Sequence, residues 1–584
     1  MPGAVARVLP DVAAVDRPFD YSVPEGWDLE VGSRVRVNLH GRSVRGWVVE
    51  LAESSDVETL KPIAKRLGAG PPPDVVALCE WAAWRWDGPW SRLLASASPT
   101  RIVHERMRPP AQAALPELPN ALRVFGRRQV RDRASVLVRV GPCTDPLDLV
   151  LSVLDGIRES AIPGSLVVTT PTTGWAHRFA DRLRRRGLQV ADPDHWAEAA
   201  SGWPVVVAAR AGALAPVPVL AGAVVLDAHD DAYRQTQTPC WDAVTMLAER
   251  CRRARVPMIA TSWCASPTLR GMADREVALE HEARLWPKVA IADLSVADPR
   301  ERFLSAAFVD AAHRALDADR SGVRVAVVLQ RLGGARRLAC KQCGALAVCE
   351  VHRAPLEERD GAYGCADGCS GLPRLCISCG SQKLSVLREG ITTLTRRTSA
   401  LLGVEAVEVS ASAPAIPEDA RVVVGTEAVL SRVRRAGLVC FADLDDYLCA
   451  PRAHGGLEAL RAIGLAGRIV GARSAQDPGL VLVQTRMPAD PVIEAAVNGS
   501  PGPLIAAESE RAAQLCLPPN VATCALEGAG AAAYAGALGR AGLVVTEEAG
   551  RMVATAHDHV ILCDALRSTP RPAASVRVVV DPVG

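Results

Sequence analysis

The feature that most constrains the fold is a series of nearly continuous apolar runs that alternate with helical segments. The first series lies between residues 136 and 261, and helical patterns at 176–186 and 241–253 separate its members. Strands that lack polar alternation are buried on both faces, as happens when helices cover both sides of a parallel sheet. A second series, with the same character, lies between residues 324 and 485. The sequence therefore predicts an α/β fold with two such lobes.

The remaining segments differ from the lobes in composition. Residues 1–100 contain short strand-like runs and a Trp-rich helix, which predict a small separate domain. Residues 101–134 hold eight Arg, three acidic residues and several Pro, so they indicate a basic linker, either a solvated connector or a strap that contacts phosphates. The other predicted units are lobe 1 over 135–283, lobe 2 over 284–337 and 386–510, an insertion over 338–385, and a small α+β C-terminal domain over 511–584.

Charge and hydropathy exclude several classes of protein. Among 584 residues, 67 basic residues oppose 65 acidic ones, so no overall field attracts nucleic acid and any such binding must use local patches. The N-terminus lacks the apolar stretch of a signal peptide, and the longest apolar stretch, 205–226, is interrupted by Arg and Pro. We therefore expect no membrane partner and a cytoplasmic location, where clustered cysteines indicate metal ligands rather than disulfides.

Seven of the 17 cysteines lie between residues 340 and 379, where together with His352 they form four closely spaced pairs. Each pair places two soft donors on one turn, and two such turns close one tetrahedral Zn²⁺ site without an open position. Eight ligands therefore predict two structural zinc ions per chain. His352 is the least regular member, because it could also be an ordinary exposed histidine. The predicted ligands are Cys340, Cys343, Cys349, His352, Cys365, Cys369, Cys376 and Cys379.

The chain resembles the PriA family of replication-restart proteins, which are relatives of superfamily 2 helicases. The resemblance rests on the opening motif Arg17-Pro-Phe-Asp-Tyr-Ser-Val-Pro24, on the paired ligands within the second lobe, and on two helicase fragments, Val424-Gly-Thr-Glu-Ala-Val-Leu430 and Leu465-Ala-Gly-Arg468. It implies two RecA-like helicase lobes with a zinc-ribbon-like insertion, preceded by a small β-barrel DNA-binding domain. The family's winged-helix module is not recognisable in the basic linker.

The resemblance also implies ligands, partners and site residues. The barrel would capture the nascent 3′ end at a branched or forked DNA, through Phe19, Asp20, Gly41 and Lys61. Core packing of Phe19, a turn cap by Asp20 and a solvated Lys61 are the plainer alternatives. The nested arrangement would assign the outer cysteine pairs to one zinc and the inner pairs to the other. Protein partners would be primosome components, the replicative helicase or its loader, and single-strand DNA-binding protein, and the location would be nucleoid-associated.

The residues that ATP hydrolysis requires are missing. A phosphate loop needs a Lys for the β/γ-phosphates and a Ser or Thr for Mg²⁺, but the segment from Gly141 to Asp148 has no Lys and carries two Asp. The acidic motif of the family aligns with Leu226-Asp-Ala-His229, and only Arg468 remains of its last helicase motif, where Gly464 and Gly471 replace a Gln and an Arg. Gly141, Asp227, His229 and Arg468 thus mark a degenerate nucleotide site of a kind typical of actinobacterial members.

Three hypotheses follow. The first is a replication-restart protein that binds stalled or abandoned forks and helps to reload the replisome without ATPase or helicase activity, and hence not an enzyme. The second is an ATP-dependent 3′→5′ DNA helicase that holds its nucleotide with unorthodox residues. The third is a zinc-stabilised interaction scaffold that no longer binds DNA.

Overall fold

The computed structural model describes residues 5–582 apart from fifteen short segments. Two of these segments fall in the predicted basic linker, whose course is therefore described only in part. The segments that are left out are 13–14, 104–106, 111–113, 193, 280, 297–302, 319–321, 331–337, 353, 360–361, 366–368, 387–389, 411–414, 451–453 and 549.

An antiparallel five-stranded sheet forms the N-terminal domain, in the order β2-β1-β4-β3-β5. Its strands are β1 (Val5–Pro10), β2 (Phe19–Ser22), β3 (Arg34–Leu39), β4 (Arg42–Ala52) and β5 (Lys65–Gly68). The sheet curls until its edges meet, because Ser22 donates to the carbonyl of Lys61 at 3.0 Å and accepts from the N–H of Ile63 at 3.1 Å. Alternate side chains such as Val35 and Val37 fill the interior, which gives a small barrel.

Three helices connect the barrel to lobe 1. They are α1 (Pro73–Arg85), α2 (Trp90–Ala97) and α3 (Asn120–Arg131). Helices α1 and α2 share one buried core with lobe 1, so the packing continues across the predicted boundary at residue 100. Helix α3 lies inside the stretch predicted as a linker. Gly126 on α3 approaches the backbone of Ser152 so closely that a Cβ would come within 2.1 Å of its carbonyl oxygen.

Lobe 1 is a seven-stranded sheet in the order β12-β6-β11-β10-β7-β9-β8, and every strand pair in it is parallel. The strands are β6 (Ser135–Arg139), β7 (Ser165–Thr169), β8 (Val190–Ala191), β9 (Val205–Ala208), β10 (Leu220–Val225), β11 (Met258–Ser262) and β12 (Arg275–Ala278). The helices that cover it are α4 (Pro146–Glu159), α5 (Thr173–Arg185), α6 (Trp196–Ala200), α7 (Ala243–Ala254) and α8 (Pro267–Gly271). The central strands are fully buried, as the continuous apolar runs require.

Lobe 2 begins with β13 (Lys288–Asp293), α9 (Ala306–Asp317) and β14 (Val325–Val328), and is then interrupted by the insertion. The insertion consists of two short antiparallel pairs. Strand β15 (Leu338–Cys340) pairs with β18 (Leu384–Val386), and β16 (Leu356–Arg359) pairs with β17 (Ala362–Cys365). Strand β18 continues to Val386, one residue beyond the predicted end of the insertion at 385.

Lobe 2 resumes after β18 and completes a parallel six-stranded sheet in the order β13-β22-β21-β14-β20-β19. The remaining strands are β19 (Ala406–Val409), β20 (Val422–Gly425), β21 (Leu438–Phe441) and β22 (Leu480–Thr485). The helices are α10 (Ile391–Leu402), α11 (Ala428–Arg432), α12 (Asp445–Leu448), α13 (Gly455–Val470), α14 (Pro491–Asn498) and α15 (Gly502–Gln514). Helix α15 runs across the predicted start of the C-terminal domain at residue 511.

The C-terminal domain is a four-stranded antiparallel sheet in the order β24-β25-β23-β26 with two helices, α16 (Ala531–Arg540) and α17 (His559–Ser568). Its strands are β23 (Ala522–Glu527), β24 (Val544–Glu548), β25 (Arg551–Ala556) and β26 (Arg577–Val580). Asp581 joins it to the other units: its carboxylate pairs with His559 at 2.9 Å and with Arg85 of α1 at 2.6 Å, and its carbonyl accepts from Arg234 of lobe 1. Within the described residues, no helix is both long and apolar enough to cross a bilayer.

Candidate functional site

A cleft of about 1320 Å³ lies between the two lobes, next to the loop that follows β6. In a phosphate loop, backbone N–H groups at a helix N-terminus point toward the ligand. Here Pro142 and Pro146 have no N–H, the N–H of Cys143 donates to Leu285, and that of Thr144 donates to the carbonyl of Gly141. Most of the donors that would hold a phosphate are therefore missing or already used.

Asp145 occupies the N-terminus of α4. Its carboxylate accepts from the N–H of Leu147 at 3.0 Å and pairs with Arg182. Burial alone would raise the pKa of Asp145, but the hydrogen bonds from Arg182 and Leu147 outweigh it, so its pKa is lowered. A carboxylate thus stands at the positive end of the helix where a phosphate would bind.

Arg468, on α13 of lobe 2, reaches across the cleft and contacts lobe 1. Its guanidinium binds both oxygens of Asp227, with an Nη2–Oδ1 distance of 2.9 Å, and its Nε donates to the carbonyl of Pro142 at 2.7 Å. The same guanidinium carbon lies 4.4 Å from the ring centroid of Trp263 and 5.3 Å from that of Trp175. Because Arg468 has a bidentate carboxylate partner and two aromatic faces, its charge is neutralised within the protein.

Trp263 fills the space between two of the residues singled out in the sequence, Gly464 and His229. It is fully buried, and a Cβ on Gly464 of α13 would come within 2.3 Å of its Nε1. Its ring packs edge to face against His229, whose Nδ1 lies 3.0 Å from Ser262 Oγ. Burial and the charge of Arg468 keep the pKa of His229 well below its usual range, so the ring is neutral. A Gln or any larger side chain at Gly464 would not fit.

The other predicted residues of this site serve packing as well. A Cβ on Gly141 would lie 2.6 Å from the carbonyl of Glu282, so this glycine allows the interlobe segment to approach the loop. Gly471 lines the cleft just after the end of α13, with φ of 90°. Two further cleft arginines pair with carboxylates, Arg461 with Glu427 and Arg182 with Asp145. The residues present do not fit a magnesium-bound nucleoside triphosphate, and we derive no step through one.

The outer cysteine pairs form one compact quartet. The Sγ atoms of Cys340 and Cys379 are 3.6 Å apart, as are those of Cys343 and Cys376. A tetrahedral Zn²⁺ with Zn–S bonds of about 2.3 Å needs S···S distances of about 3.8 Å. The turn after Cys340 suits this geometry. The N–H of Gly344, at φ of 72°, donates to the carbonyl of Cys340, and the N–H of Gln342 donates to the sulfur of Cys340. The quartet could therefore hold one metal ion.

The inner pairs form a second quartet around His352. Its Nδ1 lies 3.3 Å from the sulfur of Cys369, 3.5 Å from that of Cys365 and 3.9 Å from that of Cys349. The backbone N–H of His352 lowers the pKa of Cys349 to about 7, which favours the thiolate that a metal needs. Each predicted quartet is thus brought together, with three sulfurs and one imidazole in the second.

The four residues predicted to bind a 3′ end lie on two parts of the barrel. Phe19 and Asp20 lie on β2, and Lys61 is close to them because its carbonyl bonds to Ser22. Gly41, at φ of 80°, lies in the tight turn between β3 and β4. Phe19 packs partly on the barrel core, and Asp20 accepts from the hydroxyl of Ser55 and lies 3.6 Å from Arg7.

Two elements of the cleft were not predicted from the sequence. Pairing of Arg468 with Asp227 joins residues 241 positions apart, and no local pattern signals it. The contact of Trp263 with Gly464 is a different case. A large Trp in one degenerate motif and a Gly in another could have indicated that the two residues pack together.

Comparison with known proteins agrees with the N-terminal geometry. A family profile of the PriA 3′ DNA-binding domain matches residues 7–99. Relatives named replication restart protein PriA include one from Treponema pallidum, 27% identical and matching 54% of this chain and 51% of its own length, and one from Thermotoga maritima, 24% identical over 59% and 48%. A probable PriA from Mycobacterium tuberculosis is 26% identical over 67% and 65%.

Among solved structures, the Hef helicase domain of Pyrococcus furiosus overlaps 62% of this chain and 95% of its own, with 10% identity and a TM-score of 0.31. The chain spans about half the length of the Treponema and Thermotoga relatives. The match of residues 7–99 to the 3′ DNA-binding domain and the repeated match to proteins of one name confirm the resemblance seen in the sequence: this chain is similar to the replication restart proteins named PriA.

Proposed function

We propose that this protein takes part in replication restart by binding forked DNA, and that it does so without hydrolysing ATP. The barrel recognises the DNA, the two lobes serve as a rigid frame, and the cysteine-rich insertion presents a surface to protein partners. Primosome components, the replicative helicase or its loader, and single-strand DNA-binding protein are the partners we propose. The setting is the nucleoid.

One observation carries the proposal. The cleft between the lobes, where a helicase binds its nucleotide, is lined by Arg468, which is paired with Asp227 and lies close to two Trp rings. Phosphoryl transfer depends on a cationic site that stabilises the charge of the transferring group. Here that cation is neutralised, and Asp145 takes the place of the phosphate at the start of α4. ATP would have to displace the buried carboxylate of Asp227 from Arg468, and the exposed carboxylate of Asp145 from the start of α4, before it could bind.

The two quartets in the insertion are proposed zinc sites. When bound, zinc would contribute structure rather than chemistry, because four protein ligands leave no open position. The insertion has a small core of its own, which consists mainly of the ligand cysteines and a few Leu and Ala residues. Such a unit is too small to fold on apolar burial alone, so the metals would hold its surface in one conformation.

Recognition of a free 3′ end can be tested with substitutions in the barrel. Asp20 can accept a hydrogen bond from the terminal hydroxyl, since each carboxylate oxygen retains a lone pair beside its contacts with Ser55 and Arg7. We expect Asp20→Asn to lose the preference for a free 3′ end. Glu50→Gln is the matched control, because Glu50 also pairs with Arg7, at 2.8 Å, and the change removes the same charge.

The assay is fluorescence anisotropy with forked DNA that carries either a 3′-hydroxyl or a 3′-phosphate on the nascent strand. The wild-type protein and Glu50→Gln should prefer the free hydroxyl, and Asp20→Asn should bind both forks equally. Equal binding of both forks by the wild-type protein would overturn the 3′-end assignment. Absence of binding to any fork would favour an interaction scaffold without DNA binding.

A further inference from the structure

Three cations lie side by side on the outer face of the barrel. Arg36 on β3 is directly opposite Arg45 on β4 and, on its other side, directly opposite Lys65 on β5. All three side chains are exposed, on the face opposite to that of the buried Val35 and Val37. We call this row of Lys65, Arg36 and Arg45 the basic ladder. Neighbouring strands lie about 4.8 Å apart, so the ladder places three positive charges within about 10 Å.

The ladder has only one distant counter-charge in the described part of the chain. Asp11 lies 4.0 Å from Arg45, whose side chain is 61% exposed, and among the described residues no carboxylate pairs with Arg36 or Lys65. Like charges directly opposite each other destabilise a sheet. Burial and the charge of Arg45 also lower the pKa of Arg34, which lies two residues before Arg36 on β3. A cost of this kind is relieved when a polyanion binds.

A second row on the same barrel shows the opposite arrangement. Arg7 on β1 is directly opposite Asp20 on β2 and opposite Glu50 on β4, and it forms ion pairs with both carboxylates. The barrel therefore neutralises one row of its outer face and leaves the other positively charged. The distribution is a local basic patch on a chain whose net charge is only +2.

The polar surface continues from the ladder toward the turn that holds Gly41. Asn38 and Ser43 form the next outward pair along β3 and β4, and both are exposed. This pair lies about 7 Å along the strands from the pair of Arg36 and Arg45, and the turn with His40 and Gly41 follows it immediately. Amide and hydroxyl donors of this type are common contacts of phosphate oxygens. The basic ladder and the pair of Asn38 and Ser43 thus form one continuous polar surface, which leads to Gly41, a residue predicted to contact DNA.

We infer that the basic ladder is a binding site for the phosphodiester backbone of DNA, and that it holds the strand whose 3′ end the barrel captures. The inference rests on the proposed DNA-binding function and adds a second, sequence-independent contact to it. Three cations that release counterions from a single strand contribute about 2 to the slope of log K against log salt. At ~0.1 M salt this corresponds to about a 100-fold contribution to affinity.

The test is a triple variant, Arg36→Gln with Arg45→Gln and Lys65→Gln, whose binding to single-stranded DNA is measured by anisotropy over a salt series. The DNA carries either a 3′-hydroxyl or a 3′-phosphate. The matched control neutralises three exposed cations far from the barrel face, Arg186→Gln, Lys383→Gln and Arg540→Gln. Arg36→Gln alone, with an expected loss of about fivefold, serves if the triple variant folds poorly.

We expect the ladder variant to bind both DNAs at least tenfold more weakly, with the salt slope reduced by about 2 and the preference for a free 3′ end unchanged. The control should behave as the wild-type protein. Unchanged affinity and slope in the ladder variant, while the wild-type protein binds DNA, would overturn the ladder and leave the proposed function intact. A wild-type protein that binds neither DNA would overturn both.

Discussion

Replacing Arg468 by Ala should loosen the two lobes from each other, because its ion pair with Asp227 is a direct polar link between them. Asp227 has a side chain that is only 6% exposed, and Arg468 one that is 30% exposed. Removing one partner of a buried pair costs about 3–5 kcal/mol, since the other charge remains buried. Partial exposure of Arg468 places the expected loss near the lower end, about 3 kcal/mol, to which the stacking on Trp263 adds about 1 kcal/mol.

A double-mutant cycle separates this interaction from other effects of the two side chains. The variants are Arg468→Ala, Asp227→Asn and the double variant, and the measurement is the free energy of unfolding in urea followed by circular dichroism. We expect a coupling energy of about 2 kcal/mol. Arg182→Ala is the control, because its pair with Asp145 lies within lobe 1 and both side chains are more than a third exposed, so its loss should cost less than about 1 kcal/mol. A coupling energy below about 0.5 kcal/mol would refute the interlobe link.

Three further outcomes are expected. Burial alone would raise the pKa of Asp581, but the hydrogen bond from His559 and the charge of Arg85 lower this pKa to about 2. The ionised carboxylate therefore stabilises the folded protein by about 2 kcal/mol above pH 4, and this stabilisation is lost as the pH falls toward 2. Asp581→Asn should remove that part of the acid sensitivity of the urea midpoint, and an unchanged acid profile would contradict it. His352→Ala should lower the zinc content from two to one per chain by elemental analysis, and retention of two would show that it is not a ligand. Gly126→Ala should destabilise the protein by more than about 2 kcal/mol, because the new Cβ would overlap the Ser152 backbone. The control Gly539→Ala, whose Cβ would have only a 3.8 Å contact, should be neutral or slightly stabilising. Equal melting temperatures of the two variants would refute the tight packing of α3.

The parts of the fold that depend on local pattern could be predicted from the sequence. The continuous apolar runs became the central strands of two parallel sheets, because burial on both faces leaves no room for polar alternation. The close spacing of the cysteine pairs likewise predicted two four-ligand clusters in the insertion, whereas their grouping into outer and inner pairs came from the family resemblance. In both cases the pattern that makes the prediction is local, because it is contained in a few neighbouring residues.

Features that depend on distant residues could not be predicted in this way. Helix α3 was assigned to a linker, because its many Arg and the preceding Pro residues outweighed a short apolar face. Its place on lobe 1 depends on two glycines, Gly126 and Gly156, that face each other across the two helices. The pairing of Arg468 with Asp227 is similar, since each residue by itself fits a degenerate motif and only the packing of the lobes brings them together.

The central claim is that the lobes form a frame without a working nucleotide site, and turnover of ATP tests it most directly. The full chain, with its metals, is incubated with saturating forked DNA, Mg²⁺ and ATP, and release of phosphate is followed alongside unwinding of a labelled duplex. The account predicts no DNA-stimulated hydrolysis and no unwinding while fork binding is retained. Hydrolysis that rises with DNA and disappears in Arg468→Ala would contradict it and would establish an ATP-dependent helicase.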